Sequence, residues 1–357
     1  MWNNRILPVA VLLLFAANCL GQFKDSTSEF KISGYADAYY ARYSDSVGTG
    51  NYEKFPVISP KNNEFGLNIV QLTAQYTSSK VRAIATVHYG DIPSSAWSPA
   101  FNVIQEANLG IKLSKTIWLD AGLFKTHIGT EALLPKDNIA NSLSVITVYE
   151  PWFQSGFKLS YAPNEKFLFC LHVLNGYNTF VENNSEKSVG ITLSYTMNEK
   201  ASFGYYNLIG DEMPDSIKVS HVRFLNNFVF NYQFTPKLKA VIGVDYIGQQ
   251  NSKISDDTKM ASAYSAIVTL RYQLKPKFAC YGRYEMFNDD DGFLSGLGNR
   301  YKLNDFTFGL EYKPTTNTYI RLEGRDIIMD NSQKIFRTNG ENTNTRYEGM
   351  INVGAWF

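Results

Sequence analysis

The chain has 357 residues, of which 15% are aromatic and 19% charged, with 25 glycines and a formal net charge of +1. The charge balance gives no electrostatic reason for a nucleic-acid or anionic-lipid partner, and the composition suits a β-rich chain better than a helical one. Its three cysteines and four histidines show no metal-ligand spacing, and no cofactor motif occurs.

Arg5, an apolar run from Ile6 to Ala17 and Asn18-Cys-Leu-Gly21 read as a secretory signal peptide over residues 1–21, cleaved after Gly21. The run is about a dozen residues, short of the ~20 that a transmembrane helix needs. Cys19 is a poor lipidation site, because Ala17-Asn18 precedes it where small residues are wanted. Residues 22–357 then form one domain, and the short stretch before Phe30 leaves no room for an N-terminal plug.

From Phe30 onward, segments of period 2 alternate with connections of two kinds. The short ones are Thr77-Ser-Ser-Lys80, Ser114-Lys-Thr116, Pro163-Asn-Glu-Lys166, Met197-Asn-Glu-Lys200, Thr235-Pro-Lys237, Lys275-Pro-Lys277 and Pro314-Thr-Thr-Asn317, all rich in turn residues. The long ones lie near 44–62, 90–103, 127–152, 175–187, 209–221, 249–260, 288–305 and 327–345. Seven short turns between eight long loops predict sixteen strands with both termini on the short-turn rim. That is the pattern of an up-and-down transmembrane β-barrel with short periplasmic turns and long extracellular loops. The segments are also longer than the usual 5–6 residues of soluble strands.

The first strand sets Lys31, Ser33 and Asp37 against Ile32, Ala36 and Ala38. Phe306, Phe308 and Leu310 oppose Thr307, Gly309 and Glu311, and Ile320, Leu322 and Gly324 oppose Arg321, Glu323 and Arg325. An apolar face toward lipid places the charges inside, since an Arg facing the mid-membrane costs about 2–4 kcal/mol. Tyr76, Tyr161, Tyr195, Tyr232, Phe234, Tyr272, Phe278 and Tyr312 lie beside short turns, as a periplasmic aromatic girdle would. Tyr39, Tyr40, Tyr43, Tyr89, Tyr246 and Phe287 lie at the opposite ends.

The candidate pore-lining residues are Arg82, Glu106, Lys112, Asp120, Asp245, Arg283, Glu285, Glu311, Arg321, Glu323, Arg325, Arg346 and Glu348, with Asp37, His88 and Lys158 on the same faces. They either tune ion passage or pair across strands and satisfy the wall. Their mixed signs argue against strong anion selectivity. The third long loop is the longest, carrying His127, Glu131, Lys136, Asp137 and Glu150 with the apolar patches Ala132-Leu133-Leu134 and Val145-Ile146. At that position it reads as a constriction loop folded inward, with a loop packed over the mouth as the alternative and Val145–Tyr149 as a possible extension of the sixth strand. Asp289-Asp-Asp-Gly292 reads as a solvated acidic turn rather than a cation site, since Phe293 and Leu294 follow where ligands would be wanted.

The tail Tyr347-Glu-Gly-Met-Ile-Asn-Val-Gly-Ala-Trp-Phe357 looks like the closing strand of an outer-membrane barrel, with Phe357 as the signal for the barrel assembly machinery. Leu119-Asp-Ala-Gly-Leu-Phe-Lys-Thr-His-Ile-Gly129, Glu150-Pro-Trp-Phe-Gln-Ser-Gly156 and Leu174-Asn-Gly-Tyr-Asn178 resemble the β-barrel porin-2 family of OmpL-like porins. The resemblance implies a Gram-negative outer-membrane barrel and a passive channel for ions and small hydrophilic solutes, with possible homo-oligomers, but no established site residues. The remaining readings are a closed structural or adhesive barrel binding partners through its loops, and a barrel enzyme. Nothing here resembles a nucleophile motif.

Overall fold

The computed structural model describes residues 28–357 apart from 46, 49, 56, 183, 297–299 and 331; the expected signal peptide and Cys19 lie outside the described residues. The barrel strands are β1 (Glu29–Tyr43), β2 (Glu64–Thr77), β3 (Val81–Tyr89), β4 (Ile104–Lys112), β5 (Ile117–Lys125), β6 (Phe153–Asn164), β7 (Phe167–Leu174) and β8 (Ser188–Asn198). They continue with β9 (Ala201–Gly210), β10 (Arg223–Thr235), β11 (Leu238–Gln249), β12 (Ala261–Lys275), β13 (Phe278–Asp289), β14 (Tyr301–Tyr312), β15 (Thr318–Met329) and β18 (Thr345–Trp356). Each pairs antiparallel with the next, and β18 pairs with β1 to close the barrel. Closure leaves no unpaired edge, which a lipid-embedded sheet requires.

The strand count matches the alternation of short and long connections. Some boundaries move. β13 runs to Asp289 and β14 starts at Tyr301, so the loop expected at 288–305 shrinks to 290–300. Within 327–345, β16 (Phe336–Thr338) and β17 (Glu341–Thr343) form a separate hairpin. Val145–Tyr149 does not extend β6; it is a short helix, α2, following α1 (Asp91–Ala96) in chain order.

The outer face is apolar and open: Leu322 is 58% exposed and Phe308 60%. A continuous surface of this kind is stable against hydrocarbon and a liability in water. The short-turn girdle lies on that face, with the Phe278 and Tyr312 rings stacked at 4.7 Å. At the opposite rim Tyr39, Tyr43 and Phe287 instead point inward and are buried. Tyr39 donates its hydroxyl to Asp91 and Tyr43 to the Ser59 carbonyl, so loops occupy them.

The buried core therefore lies inside the barrel, where loops supply apolar side chains. Ile128, Val145 and Ile146 pack on Leu225, Ile247, Phe287 and Ile327. Ile58, Ile92, Trp97, Leu134 and Phe180 pack with Tyr35 and Phe153.

Candidate functional site

The loop between β5 and β6 enters the barrel and is fixed to the far wall by charged side chains of β13 and β15. Glu323 accepts the N–H groups of Asn141 and Ser142 at 2.6 and 2.9 Å. Glu285 accepts those of Val145 and Ile146 at 2.8 and 2.9 Å, using donors that the first turn of α2 leaves unpaired. Arg321 donates to the carbonyls of Pro135 and Asn138 at 2.7 and 3.0 Å. Arg283 donates to the Ser142 carbonyl and to Glu131, both at 2.7 Å. A loop inside a barrel has to satisfy its backbone without bulk water, and charge-assisted bonds do so most strongly.

These wall charges are covered. Asp245, Arg283, Glu285, Glu311, Arg321, Glu323, Arg325, Arg346 and Glu348 are all buried. Arg321 also pairs with Glu311, and Arg325 with Asp305 and Glu348. Arg346 pairs with Glu348 at 2.6 Å and lies over the rings of Tyr43, Phe55 and Phe336. They point inward, as the alternation requires, but not into the water-filled setting expected of pore-lining groups. Alternation determines the direction of a side chain and not what folds over it.

Most of the loop's own charges are engaged by the protein, and Asp137 stays exposed. Glu131 is spent on Arg283, and Lys136 pairs with Asp137 at 2.7 Å near the Tyr35 ring. Glu150 is buried against Asp245, and burial with that second carboxyl opposite pushes its acid well above the usual range. His127 anchors the loop's entry, with Nδ1 2.8 Å from Gln154 Oε1 and Nε2 2.8 Å from the Asn207 carbonyl oxygen. Its ring stacks on His172 at 3.9 Å, and burial lowers its pKa.

The wall of β3 to β6 is different. The side chains of Arg82, Lys125 and Lys158 remain 36%, 43% and 28% exposed. Beneath them Asp120 and Glu106 are buried. Arg82 grips Asp120 through Nε and Nη2 at 2.6 and 2.5 Å, and Lys125 pairs with Glu106 at 3.2 Å. Arg82 and Lys112 both lie over the Trp118 ring, at 4.5 and 5.5 Å. A cavity of about 310 Å³ lies over this patch. A second, of about 340 Å³, lies beside the inner loop, lined by His127, Thr130, Glu150 and Tyr206; Lys125 and Thr126 line both.

A family model described as "Putative beta-barrel porin-2, OmpL-like" matches residues 29–357. The chain belongs to that porin family. The porin is thus an outer-membrane channel protein of the Gram-negative envelope. No curated protein matches it in sequence. Its fold is similar to the outer membrane channel DcaP of Acinetobacter baumannii, with TM-score 0.64, 11% identity, and 94% of this chain and 99% of that one covered. It is also similar to OmpF of Salmonella typhi in complex with daunomycin, with TM-score 0.61, 11% identity and coverage of 94% and 99%. A trimer form of Vibrio cholerae OmpT superposes with TM-score 0.59, 11% identity and coverage of 93% and 100%.

Further loops of the porin enter the barrel, among them those carrying Ser59 and Asp91, which alternation could not show. Ser59 donates its N–H to Asn68 at 2.6 Å, and Asp91 joins Tyr39 to Lys61. The available signal was the apolar content of those loops, Val57-Ile58 and Ile92 with Trp97, which solvated loops rarely carry. Lys125 was missed because it ends its strand. In the acidic turn, Asp289 accepts the N–H groups of Phe293, Leu294 and Ser295 at 3.0–3.1 Å, and Asp290 pairs with Arg300 and Lys302. Asp289 and Asp290 are thus engaged by the protein itself.

Proposed function

We propose that the porin passes ions and small hydrophilic solutes passively, along the β3–β6 wall and past the loop 126–152, which acts as the constriction. The observation that carries this reading is the asymmetry of the interior. The loop is bonded to β13 and β15, whereas Arg82, Lys125 and Lys158 on the other side keep contact with water. With Lys112, the cations there number four and surround two carboxylates, so the passage favours anions weakly. The buried carboxylates and arginines serve as anchors for the constriction.

Reversal potentials in a salt gradient across planar bilayers test it. Lys125→Glu with Lys158→Glu shifts ion preference toward cations; open channels with unchanged preference would place conduction elsewhere, and silent, well-folded protein would favour a closed barrel. Phe357 would be read by the assembly machinery, and the apolar belt would meet outer-membrane lipid. The outward face of β1 to β4 carries small side chains, Ala36, Ala74, Ala83, Ala85 and Ala107, which suit close packing of porin copies into a homo-oligomer.

A further inference from the structure

We propose that the β3–β6 wall holds a binding site for small organic monocarboxylates, formed by Lys158 and the outer edge of Arg82 above an apolar floor of Phe124 and Ile84. It rests on the reading of the interior as solute-accessible and adds the class of solute that lingers there.

The protein's own acids leave cationic donors over. Arg82 uses Nε and Nη2 on Asp120, so its Nη1 edge is not part of that fork. Lys158 Nζ lies 3.8 Å from Asp120, beyond hydrogen-bond reach. Its Nζ lies over the Phe124 ring, 4.9 Å from the centroid, and both side chains line the cavity. The cavity of about 310 Å³ is lined by Arg82, Ile84, Asn108, Phe124 and Lys158. That volume sits at the lower end of the roughly 300–1,000 Å³ usual for small-molecule sites. Asn108 gives its amide N–H to the Leu123 carbonyl at 3.0 Å, which leaves its side-chain oxygen for a ligand hydroxyl.

Charge and shape choose the class. A carboxylate takes charge-assisted bonds from an ammonium and a guanidinium edge. The buried Asp120 and Glu106 lower the net field, so a second negative charge gains less than it would over a bare basic patch. An aromatic or aliphatic body covers Phe124 and Ile84, a gain that inorganic anions lack.

Benzoate is the probe, titrated calorimetrically into the full-length porin folded in detergent, with benzylamine and inorganic phosphate as comparisons. Benzoate binds saturably and more weakly as salt rises, benzylamine does not bind, and phosphate binds more weakly than benzoate. Lys158→Gln, which leaves the Arg82–Asp120 pair intact, weakens benzoate about tenfold or more; Lys158→Arg restores it. Absence of saturable benzoate binding, equal affinity in Lys158→Gln, equal binding of benzylamine, or phosphate binding as tightly as benzoate would overturn the site. Chloride conductance of the same preparation separates the two readings. Open channels without benzoate binding remove only the site, and benzoate binding in a silent barrel removes only the channel.

Discussion

Gly34 and Phe357 exchange both backbone hydrogen bonds, at 3.2 and 3.1 Å, where the end of the chain meets the first strand. The Phe357 ring lies over Gly34 so closely that a Cβ there would sit 2.5 Å from Cε1. The missing side chain at Gly34 leaves the space that the terminal aromatic ring occupies, so a larger residue there displaces the ring.

The seam therefore has two testable halves. Deleting Phe357 lowers the folded, membrane-inserted fraction in cells, and Gly34→Leu does the same by displacing the ring. Pulse-labelled assembly measures both; barrel already formed changes little. Normal insertion by either variant would show that closure does not depend on this contact.

Glu285 holds the inner loop by two consecutive N–H groups, and hydrogen bonds to a charged partner contribute about 1.5–3 kcal/mol each. Glu285→Ala therefore frees α2: amide exchange in residues 141–149 rises, and single-channel currents become larger and noisier. Exchange as slow as in the parent protein would mean that apolar packing of Val145 and Ile146 alone retains the loop.

Arg321 and Arg325 look, by alternation, like groups whose reversal to Glu would shift ion preference. Their burial changes that expectation. Removing one partner of a buried pair costs about 3–5 kcal/mol, so Arg321→Glu reduces the yield of folded barrel instead of altering selectivity cleanly. Heat-modified electrophoretic mobility gives the folded fraction. A fully folded Arg321→Glu barrel with shifted reversal potential would put this arginine on the conduction path.

Glu150 makes the root of the loop sensitive to pH. Burial first, and Asp245 opposite, raise its pKa well above the ordinary glutamate range, and Glu131 on the same loop adds to the effect. A folded pKa above the unfolded one means that its contribution is complete below the unfolded value and is lost as pH rises through the folded value. Alkaline pH thus loosens residues 145–152, seen as excess amide exchange beyond the intrinsic rate, and Glu150→Gln removes the dependence. Loosening toward acid instead would reverse the assignment.

Leu322 tests the register from the lipid side. Leu322→Arg places a charge in hydrocarbon at about 2–4 kcal/mol, whereas Leu322→Phe is tolerated. Folding titrations in lipid vesicles separate the two; equal stability would imply that position 322 does not face the membrane.

Much of the barrel was legible because its signals are local. Alternation needs only neighbours two residues apart, and the turns at Thr235-Pro-Lys237 and Lys275-Pro-Lys277 announce themselves. The loops carry no such period. α2 at Val145–Tyr149 has strand-like composition and is helical where Glu285, some 140 residues away, receives its first N–H groups. Asp289, one of three consecutive acids, is a backbone acceptor because the chain turns over it.

The amino-acid sequence by itself determined the number of strands, which face of each meets lipid, and the inward direction of Arg321, Glu323 and Arg325, because a misplaced charge in hydrocarbon costs more than any local preference. Only the tertiary structure decided which inward charges meet water. Arg82 and Arg321 sit in similar alternating strands and read alike. The inner loop covers Arg321 and leaves Arg82 open, and that choice depends on contacts between residues far apart in the chain, where no periodicity reaches.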